Sequence, residues 1–266
     1  MPPGQVELQS DSSEVRAQIV MQVPRDTGTL IGQGTLFIRE GLKGSKRLPL
    51  IVHFHGAPWL IEHHIAKLKQ GAVLVTFQLG DGSGIYARPF ADPAQFASLL
   101  RDTSAGVEKL LGRKVTLDPV VLSSWSAGYG AVRAILRQPE YYARVSSVLV
   151  SDSMHADYNT IDADTDVFQR LAADAAAGRK RFVLLHSEVF PGTYASTTET
   201  ADAVLKSLNL RRKPVLRQGP LGMQQLSETK RKNLAVIGYA GNSAPDHADY
   251  LYALGDQLAR WKVVKN

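Results

Sequence analysis

Cysteine is missing from all 266 residues, which removes disulfides, thiolate metal sites and a thiol nucleophile and leaves the redox compartment open. Long apolar runs are missing too: no stretch approaches the ~18 consecutive apolar residues of a membrane span, so no stable membrane insertion is expected. No block of one charge sign stands out. The 31 basic residues outnumber the 25 acidic ones, but they fall in short, separated clusters, Arg179-Lys180-Arg181, Arg211-Arg212-Lys213 and Lys230-Arg231-Lys232. No nucleic-acid-reading motif accompanies them, so they read as solvated loop charge and no nucleic-acid partner is expected. The opening Met1-Pro2-Pro3-Gly4-Gln5 lacks the basic and apolar regions of a secretory leader. A chain whose leader had been removed would begin the same way. A soluble protein is expected, cytoplasmic or exported, with no preference for compartment or oligomeric state.

What is present is a hydrophobic content of 44% against 21% charged residues, the balance of a soluble globular protein. The length suits one large α/β domain over 1–266, and no repeat or composition break divides it. Val15–Val23 and Gly34–Arg39 alternate as an antiparallel pair around a Pro24–Gly32 turn. Leu48–Gly56 is apolar enough for a strand buried on both faces. A helix over Trp59–Lys69, a strand over Ala72–Gln78 and a Gly- and Pro-rich loop over Gly80–Pro93 follow. Pro93 then opens a helix to Leu111. Further on, strands are expected at Val145–Ser151, Arg181–Leu185 and Leu234–Tyr239, and helices at Asp164–Ala177, Thr198–Leu210 and Ala248–Lys262. Pro214–Lys232 reads as irregular. Strand–helix alternation after an antiparallel start implies a mostly parallel sheet of about eight strands covered on both faces. Right-handed crossovers gather its active loops at the strands' carboxyl ends.

The sequence turns on the stretch from Val120 to Leu136. A short β-branched run breaks at Ser124-Trp125-Ser126-Ala127-Gly128 and resumes as a small-residue helix. This matches the strand–turn–helix pattern G-x-S-x-G with Ser124 in place of the first glycine. Such a turn lifts the Ser126 hydroxyl above the sheet, with the Ala127 N–H aimed into the same space.

A serine hydroxyl needs a base, and the base needs an acid to hold it. His247 follows the last strand and precedes the last helix, where an imidazole can swing toward Ser126. His55 reads as a loop-bonding residue beside Gly56. His53, His55 and His64 lack the carboxylate spacing of a metal site, so no metal or other cofactor is expected. Two carboxylates fit the acid. Asp152 ends its strand directly and is the more rigidly placed; Glu188 follows the next strand on a Pro- and Gly-containing loop, and the choice stays open. An oxyanion needs two N–H donors. Ala127 supplies one, and Ala57 the other, because Pro58 has no N–H. Trp59, Tyr86, Phe90 and Trp125 are candidates to line the cleft.

These residues resemble the α/β-hydrolase family over most of the chain, from about Leu48 to Trp261: His55-Gly56 after a strand, the Ser126 elbow, a strand-end carboxylate, and His247 after the last strand. Ser151-Asp152-Ser153-Met154-His155 and Pro191–Thr200 also resemble a bacterial branch of hydrolases. The resemblance implies the α/β-hydrolase fold, here without a large lid. It implies a nucleophile at Ser126, a base at His247, an acid at Asp152 or Glu188, and donors at Ala57 and Ala127. The implied activity is hydrolysis of a small-molecule carboxylic ester through an acyl-enzyme. The same triad would serve an acyltransferase or a peptidase, and the same fold a non-catalytic binding protein.

Overall fold

The computed structural model describes residues 12–22, 28–39, 42, 45–69 and 71–264. Among these, ten strands form one sheet. They are β1 (Thr29–Ile31), β2 (Gly34–Ile38), β3 (Arg47–Phe54), β4 (Val73–Phe77), β5 (Thr116–Trp125), β6 (Val145–Ser151), β7 (Arg181–His186), β8 (Lys213–Gln218), β9 (Gln224–Arg231) and β10 (Leu234–Tyr239). Their order is β1-β2-β4-β3-β5-β6-β7-β10-β9-β8. The middle, from β4 to β10, is parallel throughout, and both edges are antiparallel.

The buried strands sort their side chains by the two-residue period. Leu50, Val52 and Phe54 of β3 enter one core with Val120 and Leu122 of β5. Ile51 and Val121 enter the other. The first core is closed by α3 (Ser83–Ala91), α4 (Pro93–Leu111), α5 (Tyr129–Leu136), α6 (Pro139–Arg144), α7 (Ile161–Ala177) and α8 (Thr197–Lys206). The second is closed by α2 (Pro58–Lys67), α9 (Ala244–Tyr252) and α10 (Leu254–Arg260). Sheet and covering helices therefore follow the expected plan, with ten strands instead of about eight.

Four local expectations are corrected. Residues 12–22 form a helix, α1 (Ser12–Gln22), not a strand; Glu14, Arg16, Ala17 and Gln18 are good helix formers, and Arg16 pairs with Asp249 of α9. Val23 and residues 24–27 of the expected turn lie outside the described residues. Strand β2 takes β1 as its antiparallel partner instead. The Gly- and Pro-rich segment before Pro93 contains α3, because Tyr86 and Phe90, one helical turn apart, are both buried. Pro89 falls in its last turn, and the helix ends two residues later at Ala91.

The region read as irregular is the β8–β9 edge hairpin. The residues β9 buries are Gln225, Ser227 and Thr229, so its alternation carries no hydrophobic signal. The closing helix is two, α9 and α10, broken at Ala253.

Three histidines, His53, His64 and His186, are buried. His53 Nδ1 accepts from Ser123 Oγ at 2.9 Å and its Nε2 donates to the His55 carbonyl at 2.8 Å. His64 Nε2 donates to the Leu251 carbonyl at 3.1 Å. His186 Nδ1 donates to Thr198 Oγ1 at 2.6 Å. Burial lowers all three, His53 to about 3 and His64 and His186 to about 4. The unfolded chain protonates them near 6.5, so below that pH it binds more protons than the native state and stability falls as pH drops. Three such groups give a slope approaching about 4 kcal/mol per pH unit near pH 5, which lessens toward pH 4 as His64 and His186 begin to protonate in the native state. Urea midpoints measured from pH 7.5 to 4.5 are expected to fall steeply below 6.5; a flat profile contradicts the assignment.

Candidate active site

Strand β5 ends at Trp125, and the chain turns through a short 3-10 segment, Ser126–Gly128, into α5. Ser126 takes a positive φ of 47°, a left-handed conformation that costs a non-glycine residue about 1–3 kcal/mol and is held only by its surroundings. Ser124, at the position where the motif has glycine, lies within β5 and needs no such conformation. Its hydroxyl is 3.0 Å from Ser153 Oγ, which in turn donates to the Ser126 carbonyl at 2.6 Å. The serine thus adds a tie between the elbow and the turn after β6.

Gly128 is required by close approach. A Cβ there would lie 2.0 Å from the Phe54 carbonyl oxygen of β3, and one at Gly130 would lie 2.1 Å from the Ser83 carbonyl oxygen.

Asp152 stands one residue past β6, with φ 41° and only 1% exposure. Its Oδ1 accepts from Thr197 Oγ1 at 2.7 Å and from the Ser187 N–H at 3.1 Å. Its Oδ2 accepts from His247 Nδ1 at 2.6 Å. Burial pushes the carboxyl up, but the bond to His247 and its charge, with Thr197 and Ser187, outweigh this and hold it below the usual carboxylate value. Glu188 is elsewhere: its carboxylate lies 3.9 Å from Arg212, and burial raises it despite that cation. The imidazole is therefore brought to Asp152 and not to Glu188.

His247 sits in the first turn of α9, not in a free loop. Ser243 caps that helix in a reciprocal box with Asp246, which occupies Asp246 locally. The His247 ring stacks on Trp125 (centroids 4.6 Å apart, planes 25°), and Trp125 stacks on His55 (5.1 Å, 9°). Trp125 Nε1 also donates to the His247 carbonyl at 3.0 Å. With Nδ1 donating to Asp152, Nε2 is the ring's acceptor, on an imidazole packed against the residue just before Ser126.

His55 Nδ1 pairs with Tyr86 Oη at 2.8 Å. The three histidines weighed as metal ligands each bond separate partners, and among the described residues no group of three or more His, Cys, Asp or Glu side chains is placed to hold a metal ion. No helix of the described residues is long and apolar enough to cross a membrane. Gly56 N–H is committed to Gln78 Oε1 at 2.8 Å. Ala57 is the residue before α2, and Ala127 lies in the turn that opens α5.

A cavity of about 450 Å³ opens beside Ser126 and Ala127. Its walls carry Tyr129, Arg133, His155, Asp164 and Tyr194. Arg133 Nη1 pairs with Asp164 Oδ1 at 2.6 Å, and His155 Nδ1 donates to the Ala195 carbonyl at 3.2 Å. The aromatic residues expected to line the cleft are placed differently. Tyr86 and Phe90 are buried in the first core, Trp59 packs on the second, and Trp125 is held between two imidazoles.

Sequence reasoning also missed Thr197 and Ser187, which bind Asp152. The signal available for Thr197 was the capping box of Ser196 and Glu199, which puts Thr197 at a helix start. Gly128→Ala is expected to destabilise the protein by about 3 kcal/mol or more, as overpacking against a backbone does. Thermal unfolding reads this directly, and an unchanged melting temperature would contradict the close approach.

No family model matches the chain, and no curated protein matches it. Solved structures do. The enterobactin esterase from Shigella flexneri, solved in the presence of enterobactin, superposes with a TM-score of 0.54 at 14% identity, covering 98% of this chain and 62% of the other. The enterochelin esterase from Shigella flexneri gives 0.51 at 15% identity, covering 98% and 63%. The chain spans less than two thirds of the length of these enzymes. At such identity the likeness speaks for architecture, and it agrees with the sheet order and the elbow: the chain has the α/β-hydrolase fold.

Proposed function

We propose that the protein hydrolyses carboxylic esters through an acyl-enzyme on Ser126, with His247 as base and Asp152 as its acid. The observation that carries this reading is the 2.6 Å bond from His247 Nδ1 to the buried Asp152 carboxylate, on an imidazole stacked against the tryptophan that precedes Ser126.

His247 Nε2 takes the Ser126 proton as Oγ bonds to the ester carbonyl carbon. The carbonyl oxygen becomes an oxyanion, which accepts hydrogen bonds from the Ala57 and Ala127 N–H groups, a contribution of about 3–4 kcal/mol per donor in such sites. Collapse breaks the bond to the alcohol oxygen, which leaves with the proton from His247. Water then repeats the attack on the acyl-enzyme and releases the acid. Asp152 stays ionised throughout, fixing the tautomer and stabilising the imidazolium. The Ser126 cavity receives the substrate, and the likeness in fold to ester-cleaving enzymes supports the same chemistry.

Ser126→Ala is expected to fold as the wild type and to lose p-nitrophenyl acetate turnover by about 10⁴-fold or more. A fluorophosphonate probe is expected to label the wild type at Ser126. Undiminished turnover by the variant, or no labelling, sinks the assignment, and the latter favours a binding protein. In a parallel comparison, Asp152→Asn should reduce kcat by about 10³- to 10⁴-fold, whereas Glu188→Gln should stay within about tenfold of wild type. The reverse ranking would move the acid to Glu188.

A further inference from the structure

A second and larger cavity, about 640 Å³, lies on the face of the sheet covered by α2, α9 and α10. It shares no lining residue with the Ser126 cavity. Its volume falls in the range of about 300–1,000 Å³ typical of small-molecule sites. The floor is apolar: Leu68, Leu258 and Val264 are buried there, with Ile19, Leu221 and Tyr252 half-buried around them. Gly255 lets α10 approach α2 closely along this wall, since a Cβ there would sit 2.8 Å from His64 Nδ1.

The rim is cationic. Lys67 ends α2, Lys69 follows it, and Lys262 comes just after α10. All three are exposed, and none makes an ion pair with a carboxylate among the described residues. Among the described residues, Asp256 is the one acidic residue lining the cavity. Lysine near a helix C-terminus is ordinary, because it complements the helix dipole. Here, however, lysines from two different helices converge over one apolar trough. His63, on the same wall, is lowered by burial and then by the charge of Lys67, in keeping with an excess of positive charge at this mouth.

We propose that this groove binds a free single-chain amphipathic carboxylate, its tail along the apolar floor and its head among Lys67, Lys69 and Lys262. Three cations against one carboxylate select an anionic head over a neutral or cationic one, and the apolar floor selects a hydrocarbon tail over a polyol. One medium-length chain fits the volume. The binding is independent of chemistry at Ser126.

Calorimetric titration with dodecanoate, kept below its micelle concentration, tests this on the full chain. Wild type and Ser126→Ala are expected to bind it equally, one per chain. Affinity should rise by about two- to fourfold per added methylene from octanoate to dodecanoate, as burial of each CH₂ implies. The double variant Lys67→Glu/Lys262→Glu, altered only at exposed positions, should lower the melting temperature by no more than a few degrees, the cost of an acid at the end of α2, and bind at least about tenfold more weakly. Dodecanol should bind at least about tenfold more weakly than dodecanoate. Absence of binding, equal binding by the charge variant, or dodecanol as tight as dodecanoate overturns the proposal. So does loss of binding when Ser126 is blocked by a fluorophosphonate, which would place the ligand in the Ser126 cavity.

Discussion

A carboxylate stripped of water inside a protein costs several kcal/mol, and it stays ionised only where hydrogen-bond donors replace the lost hydration. Asp152, 1% exposed, is supplied with three: the Ser187 N–H, the Thr197 hydroxyl and His247 Nδ1. These come from three different places in the fold, the turn after β7, the N-terminus of α8 and the first turn of α9. None alone offsets the burial. Together they reverse it, leaving the carboxyl below its ordinary value. The arrangement therefore needs the second half of the chain assembled before Asp152 can hold its charge, and it makes the position of His247 a consequence of global folding.

The imidazole's other face is fixed by packing. His55, Trp125 and His247 form a three-ring stack, and the indole N–H bonds the backbone of the residue whose ring it supports. One edge of His247 is set by a charge-assisted bond and one face by an aromatic plane, which together leave little freedom about χ1 and χ2. The elbow is fixed from the other side. Ser124, Ser153 and the Ser126 carbonyl form a chain of hydrogen bonds joining the ends of β5 and β6, so the nucleophile candidate and the carboxylate share one framework.

How much of this was legible follows from where the hydrophobic signal lies. The parallel strands β3, β5, β6, β7 and β10 are buried on both faces and read as apolar runs, and with them the sequence positions of Ser126, Asp152 and Glu188 at strand ends. Where burial is polar or marginal the signal disappears. Strand β9 hides Gln225, Ser227 and Thr229, and α3 carries glycine and proline in a stretch whose helix is held by Tyr86 and Phe90 packing on the first core. The decision between Asp152 and Glu188 needed three dimensions. Both follow consecutive strands, and what separates them is the donor set: the Ser187 N–H, the Thr197 hydroxyl and His247 meet at Asp152, while Glu188 lies toward Arg212. The stack on Trp125 was equally hidden, because it unites residues more than a hundred positions apart.

Helix α9 runs between the Asp152–His247 pair and the groove. His247 lies in its first turn and Tyr252 is its last residue, a separation of about 7–8 Å along the axis at 1.5 Å per residue. A helix of nine residues is too short to flex much within itself, and it is also held along its length: Ser151 Oγ donates to the Tyr250 carbonyl at 3.1 Å, Tyr250 Oη donates to the His186 carbonyl at 2.6 Å, and Arg16 pairs with Asp249. The Asp152 bond and the Trp125 stack hold its first turn, and the Leu251 carbonyl, bonded to His64, holds its last. Occupancy of the groove is thus expected to leave the imidazole in place, because the helix between them is tied at both ends and in its middle. Independence is as reciprocal as coupling would be: a groove ligand that leaves the pose of His247 unchanged is itself bound no more tightly when that pose is held at the Ser126 end.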